Sequence, residues 1–395
     1  LDADMVSAPA LALNLAKVEI IRLGEKVKSM AAHSLEPFLD HNLEILDRLH
    51  LEENKVDALD EQIQQLISQR ARLAYRVRES KAESREAVNF YRPEREAQVL
   101  RGVRERNEGP LSDSEMLRLF REIMSACLAL EKPLSIAFLG PEGTFTQAAA
   151  LKHFGHSVIT VPFTSIADVF REVESGSCDY GVVPVENSTE GVVNHTLDMF
   201  LSSPLMISGE VVLRIHHNLL GKGAGETPVM DTLKVVYSHQ QSLSQCRAWL
   251  DQQLPHAERV PVSSNAEAAR LARDEEGAAA IAGDTAAEVY GLKVLMPNIE
   301  DRPDNTTRFL VIGRQSYPPS GQDKTSLLLS SRHKAGALYA LLSPLAEHKV
   351  SMTRIESRPS RRGKWDYVFF VDVEGHCEDP GIAAALEDLK SAASL

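Results

Sequence analysis

The stretch LSIAFLGPEGTFTQAAALKHF, Leu134 to Phe154, is where the character of the chain changes. Leu134–Leu139 is a short apolar run that reads as a buried strand. Gly140, Pro141 and Gly143 make a turn, and TQAAALKHF reads as a helix. A strand feeding a helix through a glycine turn leaves backbone N–H groups free beside the Thr144 and Thr146 hydroxyls, a geometry suited to an anion. The spacing is not G-x-G-x-x-G, so a dinucleotide is weakly supported at best, and a tight turn with a threonine cap accounts for the same residues. Further strand candidates follow: YGVVPVE, LKVVYS, AAAIAG and TRFLVIG, separated by helical stretches such as Ser165–Val173 and Asn265–Arg273. Strands alternating with helices predict an α/β region with a mostly parallel sheet.

Outward from there the chain divides. Residues 1–131 carry almost no strand signal; Leu43, Leu46, Leu49, Val56, Leu59, Ile63, Leu66, Ile67, Leu73 and Val77 recur at helical spacing between charged residues. Leu111–Leu130 is another amphipathic helix, capped by Ser112 or Asp113. After TRFLVIG comes a linker, SYPPSGQD, then a β-α-β-β-α succession, one strand short of a ferredoxin-like β-α-β-β-α-β module. The chain stops at Leu395, where that strand would begin, and it starts at Leu1 rather than methionine; both lead us to expect a fragment or processed product.

Bulk properties narrow the function. At 395 residues, several domains are expected. The net charge of −13 argues against a general affinity for nucleic acid or anionic membrane. The four cysteines and thirteen histidines form no C-x-x-C or H-E-x-x-H pattern, so neither a disulfide framework nor a metal is expected. His216-His217 is an adjacent pair, which in a strand points to opposite sides. No run approaches the roughly 18 apolar residues of a membrane span, and the N-terminus lacks a basic region ahead of its apolar stretch, so a cytoplasmic protein is expected.

Several polar clusters sit where chemistry can be done. In the helical part, Arg70 interrupts an apolar stripe, Lys81 follows three turns later near the same azimuth, Arg95 and Glu96 open another helix, and Cys127 and Glu131 share a face. A basic residue in such a stripe needs an anion unless it snorkels from the edge. In the α/β part, Glu186-Asn187-Ser188-Thr189, Ser238-His239 with Gln245, and Asn305-Thr306-Thr307-Arg308-Phe309 each lie at a strand end, where α/β sheets place ligands. One such cluster is ordinary turn chemistry; several in one domain can converge on a cleft.

Taken together, these residues resemble the bifunctional P-proteins of phenylalanine biosynthesis, chorismate mutase–prephenate dehydratases. GPEGTF, PVENSTEG, YSH with Gln245, and NTTRF are similar to the dehydratase motifs and occur in order. Gly336-Ala337-Leu338 and Glu356-Ser357-Arg358-Pro359 stand where an ACT regulatory domain lines its phenylalanine site. The resemblance implies a multidomain α plus α/β plus α+β fold. A helical mutase region spans 55–131. A two-lobed, periplasmic-binding-protein-like dehydratase spans 133–315, with lobe 1 at 133–215 plus 301–315 and lobe 2 at 216–300. A ferredoxin-like ACT domain without its last strand spans 323–395. It further implies the substrates chorismate and prephenate, L-phenylalanine as effector, a homodimer, and no cofactor. Thr307 would be central to dehydration, with Asn187, Ser188, Glu186, Ser238 and Gln245 catalytic or orienting. Thr144, Thr189, His239, Arg308 and Phe309 would hold prephenate, although Arg308 can instead pair with an acidic neighbour such as Glu186. Arg70, Lys81, Arg95, Glu96, Cys127 and Glu131 would hold chorismate. Glu131 would act protonated, tilting mutase activity toward low pH.

The match has edges. The family's mutases carry, at the start of the first helix, an arginine that reaches into the partner's site; the corresponding position here is Glu53, so weak or absent mutase activity is expected. Residues 1–54 do not resemble a P-protein and are loosely similar to a PhoU-like helical domain of sodium/phosphate cotransporters, as in a fusion or a mis-joined frame. Two other readings stay open: a non-catalytic amino-acid sensor built from a two-lobed binder and an ACT domain, and a helical adaptor formed by residues 1–130.

Overall fold

The computed structural model describes residues 22, 24–26, 28–30, 43–83, 91–222, 229–330, 335–360 and 367–392. Most of the region likened to PhoU therefore lies outside the described residues, as do the last three residues. The side chain of Lys81 also lies outside them.

Three helices come first: α1 (Leu43–Glu83), α2 (Pro93–Glu105) and α3 (Asp113–Glu131). Residues 43–83 contain no glycine or proline, so α1 runs 41 residues without a break, through the boundary expected near residue 54. The chain forms two compact units. One contains α1 with residues 118–133 and 154–158, and the other contains residues 91–117, 134–153 and 159 onward. In the first, Arg78 donates to the Leu130 carbonyl at 3.1 Å, and His156 pairs with Glu122 at 2.7 Å. The apolar stripe expected on α1 is exposed: Leu59, Ile63, Leu66 and Leu73 are each more than half accessible.

The second unit opens with a lobe built from β1 (Ser135–Leu139), α4 (Phe145–Phe154), β2 (Ile159–Phe163), α5 (Ile166–Ser175), β3 (Tyr180–Asn187), β4 (Gly191–Val192), α6 (Asn194–Phe200) and β5 (Met206–Arg214). A second lobe follows, with β6 (Asn218–Gly221), α7 (Val229–Thr232), β7 (Val235–His239), α8 (Gln240–Gln245), α9 (Arg247–Gln253), β8 (Glu258–Val262), α10 (Asn265–Asp274), β9 (Ala278–Ala282), α11 (Asp284–Tyr290) and β10 (Lys293–Met296). The chain then returns to the first sheet as β11 (Thr306–Gly313).

The sheet orders are β2-β1-β3-β11-β5 and β10-β6-β9-β7-β8. Parallel pairing was expected to dominate, yet both sheets are mixed: β11 runs antiparallel to β3 and β5, and β6 antiparallel to β9 and β10. The antiparallel strands are those by which the chain crosses between lobes, entering a sheet without a helical crossover. In lobe 2 the wholly buried AAAIA of β9 meets Ala268, Ala269 and Ala272 of α10, because small side chains let helix and sheet approach closely.

The last segment is β12 (Lys324–Ser330), α12 (Ala337–Glu347), β13 (Met352–Pro359), β14 (Tyr367–Glu374) and α13 (Pro380–Ala392), with strand order β12-β14-β13. This is the expected ferredoxin-like arrangement with three strands among the described residues. Its own core is Leu329, Leu341, Val371 and Leu389, while Val368 and Phe370 of β14 join the core of lobe 1.

Candidate active site

Two segments carry the chain between the lobes, and hydrogen bonds zip them together. The Ile215 amide donates to the Asn305 carbonyl at 2.8 Å, and the Ile299 amide to the His217 carbonyl at 2.7 Å. The nearly inaccessible Glu300 carboxylate accepts the His217 amide at 2.9 Å and pairs with His216 Nδ1 at 2.9 Å. Burial pushes the Glu300 carboxyl up, but hydrogen bonds from the His217 and Glu300 amides and from His216 outweigh it and hold it below the usual range.

Side chains from both lobes meet at this junction. Asn187, ending β3, donates from Nδ2 to Thr307 Oγ1 at 2.8 Å and to Asn305 Oδ1 at 2.9 Å. Its own Oδ1 accepts the amides of Thr189 and Glu190 at 2.9 and 3.0 Å, which fixes the side-chain amide's orientation. The Ser188 and Thr189 hydroxyls both reach Asn305 Oδ1 at 3.4 Å. Asn305 Nδ2 donates to Gln245 Oε1 at 3.2 Å, and that oxygen is also 2.8 Å from His217 Nε2. Thr307 is 9% exposed, and Asn305 and His217 less. Burial is the main effect on the His217 pKa and lowers it, so the ring is neutral at pH 7. Because Thr307 Oγ1 already accepts from Asn187, its proton is left to donate elsewhere. Gln245 Nε2 is likewise a buried donor with no hydrogen-bond partner among the described residues.

Neighbours in a strand point to opposite faces, and this splits the residues the sequence groups together. Glu186 and Arg308 lie on the far side of the sheet from Asn187 and Thr307. Arg308 Nη2 donates to Asp372 Oδ2 of β14 at 2.6 Å and its Nε to Glu210 Oε2 at 2.7 Å, with Glu186 3.6 Å from Nη1. Glu186 also pairs with Arg354 of β13 at 3.2 Å, and Lys324 with Glu210 at 3.0 Å. Both residues, which the resemblance casts as catalytic (Glu186) and as a substrate contact (Arg308), here belong to a cluster linking lobe 1 to the C-terminal module, apart from the hydrogen bonds around Thr307. Phe309 is almost fully buried.

Ser238 is wholly buried, and its hydroxyl is within reach of the Ile281 carbonyl at 2.8 Å and Asn265 Oδ1 at 2.9 Å. It steadies lobe 2 instead of joining the Thr307 chain. His239 caps α8, accepting the Gln241 amide. Thr144 donates to the Leu139 carbonyl at 3.1 Å and holds the first turn. The lobes touch here at glycines: a Cβ on Gly283 would lie 2.7 Å from Phe145 Cε1, and one on Gly143 would lie 3.1 Å from the Ala286 backbone. Phe145 in turn packs edge-on to His217, ring centroids 5.7 Å apart. Gly283→Ala is therefore expected to spread the lobes and lower turnover efficiency by about 10- to 100-fold, measured as kcat/KM.

In the helical part, exposed Arg70 lies 3.5 Å from the Ile123 carbonyl, Cys127 is buried and Glu131 half-buried. Arg95 is exposed, with Nη1 3.4 Å from Gln98 Oε1, and Glu96 is half-buried. Gly336, in a left-handed conformation, caps α12, followed by Ala337 and the exposed Leu338. Glu356, Ser357, Arg358 and Pro359 occupy β13, an edge strand among the described residues, and Arg358 binds Asp198 of α6 through three contacts of 2.8–3.1 Å.

The sequence reading passed over Asn305, His217 and Asp372 as site residues. Asn305 lies within NTTRF, where an asparagine beside a turn is unremarkable, and His217 is one of an adjacent histidine pair with no local sign of its partner. Asp372 sits in an apolar strand run where nothing local marks it.

Fold and junction together define a two-lobed α/β protein with a hydroxyl–amide cluster between its lobes, a helical region before it and an ACT-type module behind it. Family models match accordingly: chorismate mutase type II over residues 53–132, prephenate dehydratase over 136–317 and the ACT domain over 325–391. The bifunctional chorismate mutase/prephenate dehydratase of Stutzerimonas stutzeri is 58% identical over 347 residues, 87% of this chain and 94% of that protein. The one from Pseudomonas aeruginosa is 57% identical over 346 residues, covering 87% and 94%. The crystal structure of prephenate dehydratase in complex with L-Phe from Arthrobacter aurescens superposes with a TM-score of 0.60 at 34% identity, covering 66% of this chain and 86% of that one. This chain belongs to the bifunctional chorismate mutase/prephenate dehydratase family.

Proposed function

We propose that the chain converts prephenate to phenylpyruvate in the cleft at the lobe junction, that its helical region rearranges chorismate to prephenate, and that L-phenylalanine acting at the ACT module controls the output. The observation that carries the dehydratase reading is the Asn187 Nδ2–Thr307 Oγ1 hydrogen bond at 2.8 Å, which polarises the hydroxyl and leaves its proton facing outward from the bond. In the reaction the ring carbon–carboxylate bond breaks and its electron pair completes the aromatic ring. The carbon–hydroxyl bond breaks with it, and the hydroxyl takes up a proton and leaves as water. Thr307 hydrogen-bonds or relays that proton, which bulk solvent resupplies. Gln245 Nε2 is a donor for the substrate's oxygens, and the Ser188 and Thr189 hydroxyls join it by turning away from their long contacts to Asn305 Oδ1. Incubation with prephenate tests this: phenylpyruvate and carbon dioxide are expected in equal amounts, and their absence would remove the reading.

For chorismate, Arg70 and Lys81 are cations of the kind that would hold a dicarboxylate, with Glu131 as the residue toward the ether oxygen. The exposed leucines and isoleucines of α1 and the edge strand β13 both support a homodimer. Among the described residues no helix is long and apolar enough to cross a membrane, and we place the protein in the cytoplasm.

For feedback, the effector site and Thr307 need a physical link. Arg308 follows Thr307 directly, and its guanidinium is held by Asp372 in the ACT sheet, where Ser326 also donates to Asp372 Oδ1 at 2.6 Å. Asp372→Asn weakens that link while leaving Glu210 to pair with Arg308. The L-phenylalanine concentration for half-inhibition is expected to rise at least about fivefold, with uninhibited kcat little changed. An unaltered inhibition curve would count against the link.

A further inference from the structure

His217 has no part in the reading above, yet it ends the chain of side chains that begins at Thr307. The residue is 2% exposed. Nε2 faces a carbonyl oxygen, Gln245 Oε1, at 2.8 Å, so Nε2 carries the proton and donates. Nδ1 is therefore an acceptor, buried and without a hydrogen-bond partner among the described residues. A hydrocarbon side chain would fill this place without that cost, so packing alone does not account for an imidazole here.

We propose that His217 is a positioning residue for dehydration: its Nε2–H fixes the Gln245 side-chain amide so that Nε2 of Gln245, not Oε1, is offered to the substrate. The chain of amides shows why a second clamp is needed. Its lobe 1 end is held by the two backbone amides on Asn187 Oδ1. At the lobe 2 end, Gln245 Oε1 has the Asn305 contact at 3.2 Å and the His217 contact at 2.8 Å. Without His217, the longer bond alone resists rotation of the Gln245 amide. Rotation would turn a carbonyl oxygen toward the carboxylates and hydroxyl of prephenate, where it repels two of them. His217 is itself held from behind, because its backbone amide donates to Glu300 and its carbonyl accepts from Ile299. The clamp therefore crosses from lobe 2 to Thr307 in lobe 1, and it is complete when the lobes are together.

The inference rests on the dehydratase reading of this cleft, and two polar variants test it. A glutamine amide places its donor near where Nε2 stands, whereas an asparagine amide is one carbon shorter and does not reach Gln245. H217Q is expected to keep at least about a third of wild-type kcat/KM for prephenate, and H217N to fall by about 30-fold, with melting temperature and L-phenylalanine binding retained in both. In a Gln245→Ala background, H217N is expected to cause no further loss, whereas a merely structural histidine would add its own. Equal activity of H217Q and H217N, or full additivity with Gln245→Ala, overturns the proposal while the dehydratase reading stands. A wild-type chain that leaves prephenate unchanged removes both.

Discussion

Replacing Thr307 with alanine is expected to lower dehydratase turnover by about 10²- to 10⁴-fold and to leave KM for prephenate within a few-fold, on the proposal that this hydroxyl serves the departing oxygen. The size follows from what the hydroxyl does in the structure. Thr307 Oγ1 accepts from Asn187 at 2.8 Å, and the strand holding it is hydrogen-bonded on both edges, to β3 and β5. The group is thus preorganised, and preorganised donors act on charge that develops in the transition state more than on the ground state. In the proposed binding mode the contacts are spread over Gln245, Ser188 and Thr189, so binding is expected to survive the loss of one hydroxyl. A threonine hydroxyl is a weak acid, so serine, which keeps the oxygen but gains rotameric freedom, is expected to recover most of the rate. Steady-state assays of phenylpyruvate formation decide it; an alanine variant with a near wild-type kcat would take Thr307 out of the chemistry.

How much of this was legible in the sequence depends on the range of the interaction. Thr307 and Asn187 could be singled out because they open and close apolar strand runs, and Gln245 because it lies in the polar segment that follows another, one short helix past its strand; the structure brings those three into one hydrogen-bonded chain. The alternation of strand side chains, applied more strictly, would also have separated Glu186 and Arg308 from them. What could not be read locally is the partner on the other face: Asp372 lies 64 residues beyond Arg308, on another module. Strand β5, MISGEVVLR, was missed because it is a sheet edge with exposed Met206, Ile207 and Val212, so no clean apolar run or alternation marks it. Likewise the α1 stripe reads as a core-facing surface in the sequence, and within the single chain it is exposed; periodicity reveals that a face is apolar but not what covers it.

Replacing Glu53 with arginine is expected to raise mutase kcat/KM by about 10²-fold or more. The resemblance places an arginine at this position, reaching into the partner's site, and a carboxylate there repels a dicarboxylate substrate. Glu53 lies inside the uninterrupted α1 helix, half-buried and 3.4 Å from the exposed His50, so the substitution exchanges one good helix former for another and breaks a contact that is open to solvent on the His50 side. Arg48 does not stand in for it: five residues earlier on a helix is about 140° away around the axis and about 7.5 Å along it. A charge-assisted bond to a carboxylate contributes about 1.5–3 kcal/mol, and removing a like charge adds to it, so a gain of roughly two powers of ten follows at about 1.4 kcal/mol per tenfold. Chorismate consumption by the two proteins, with phenylpyruvate formation from prephenate as the internal control, measures the effect. A rise of less than threefold would mean that another cation already fills the position, and that the wild-type mutase is not limited by Glu53.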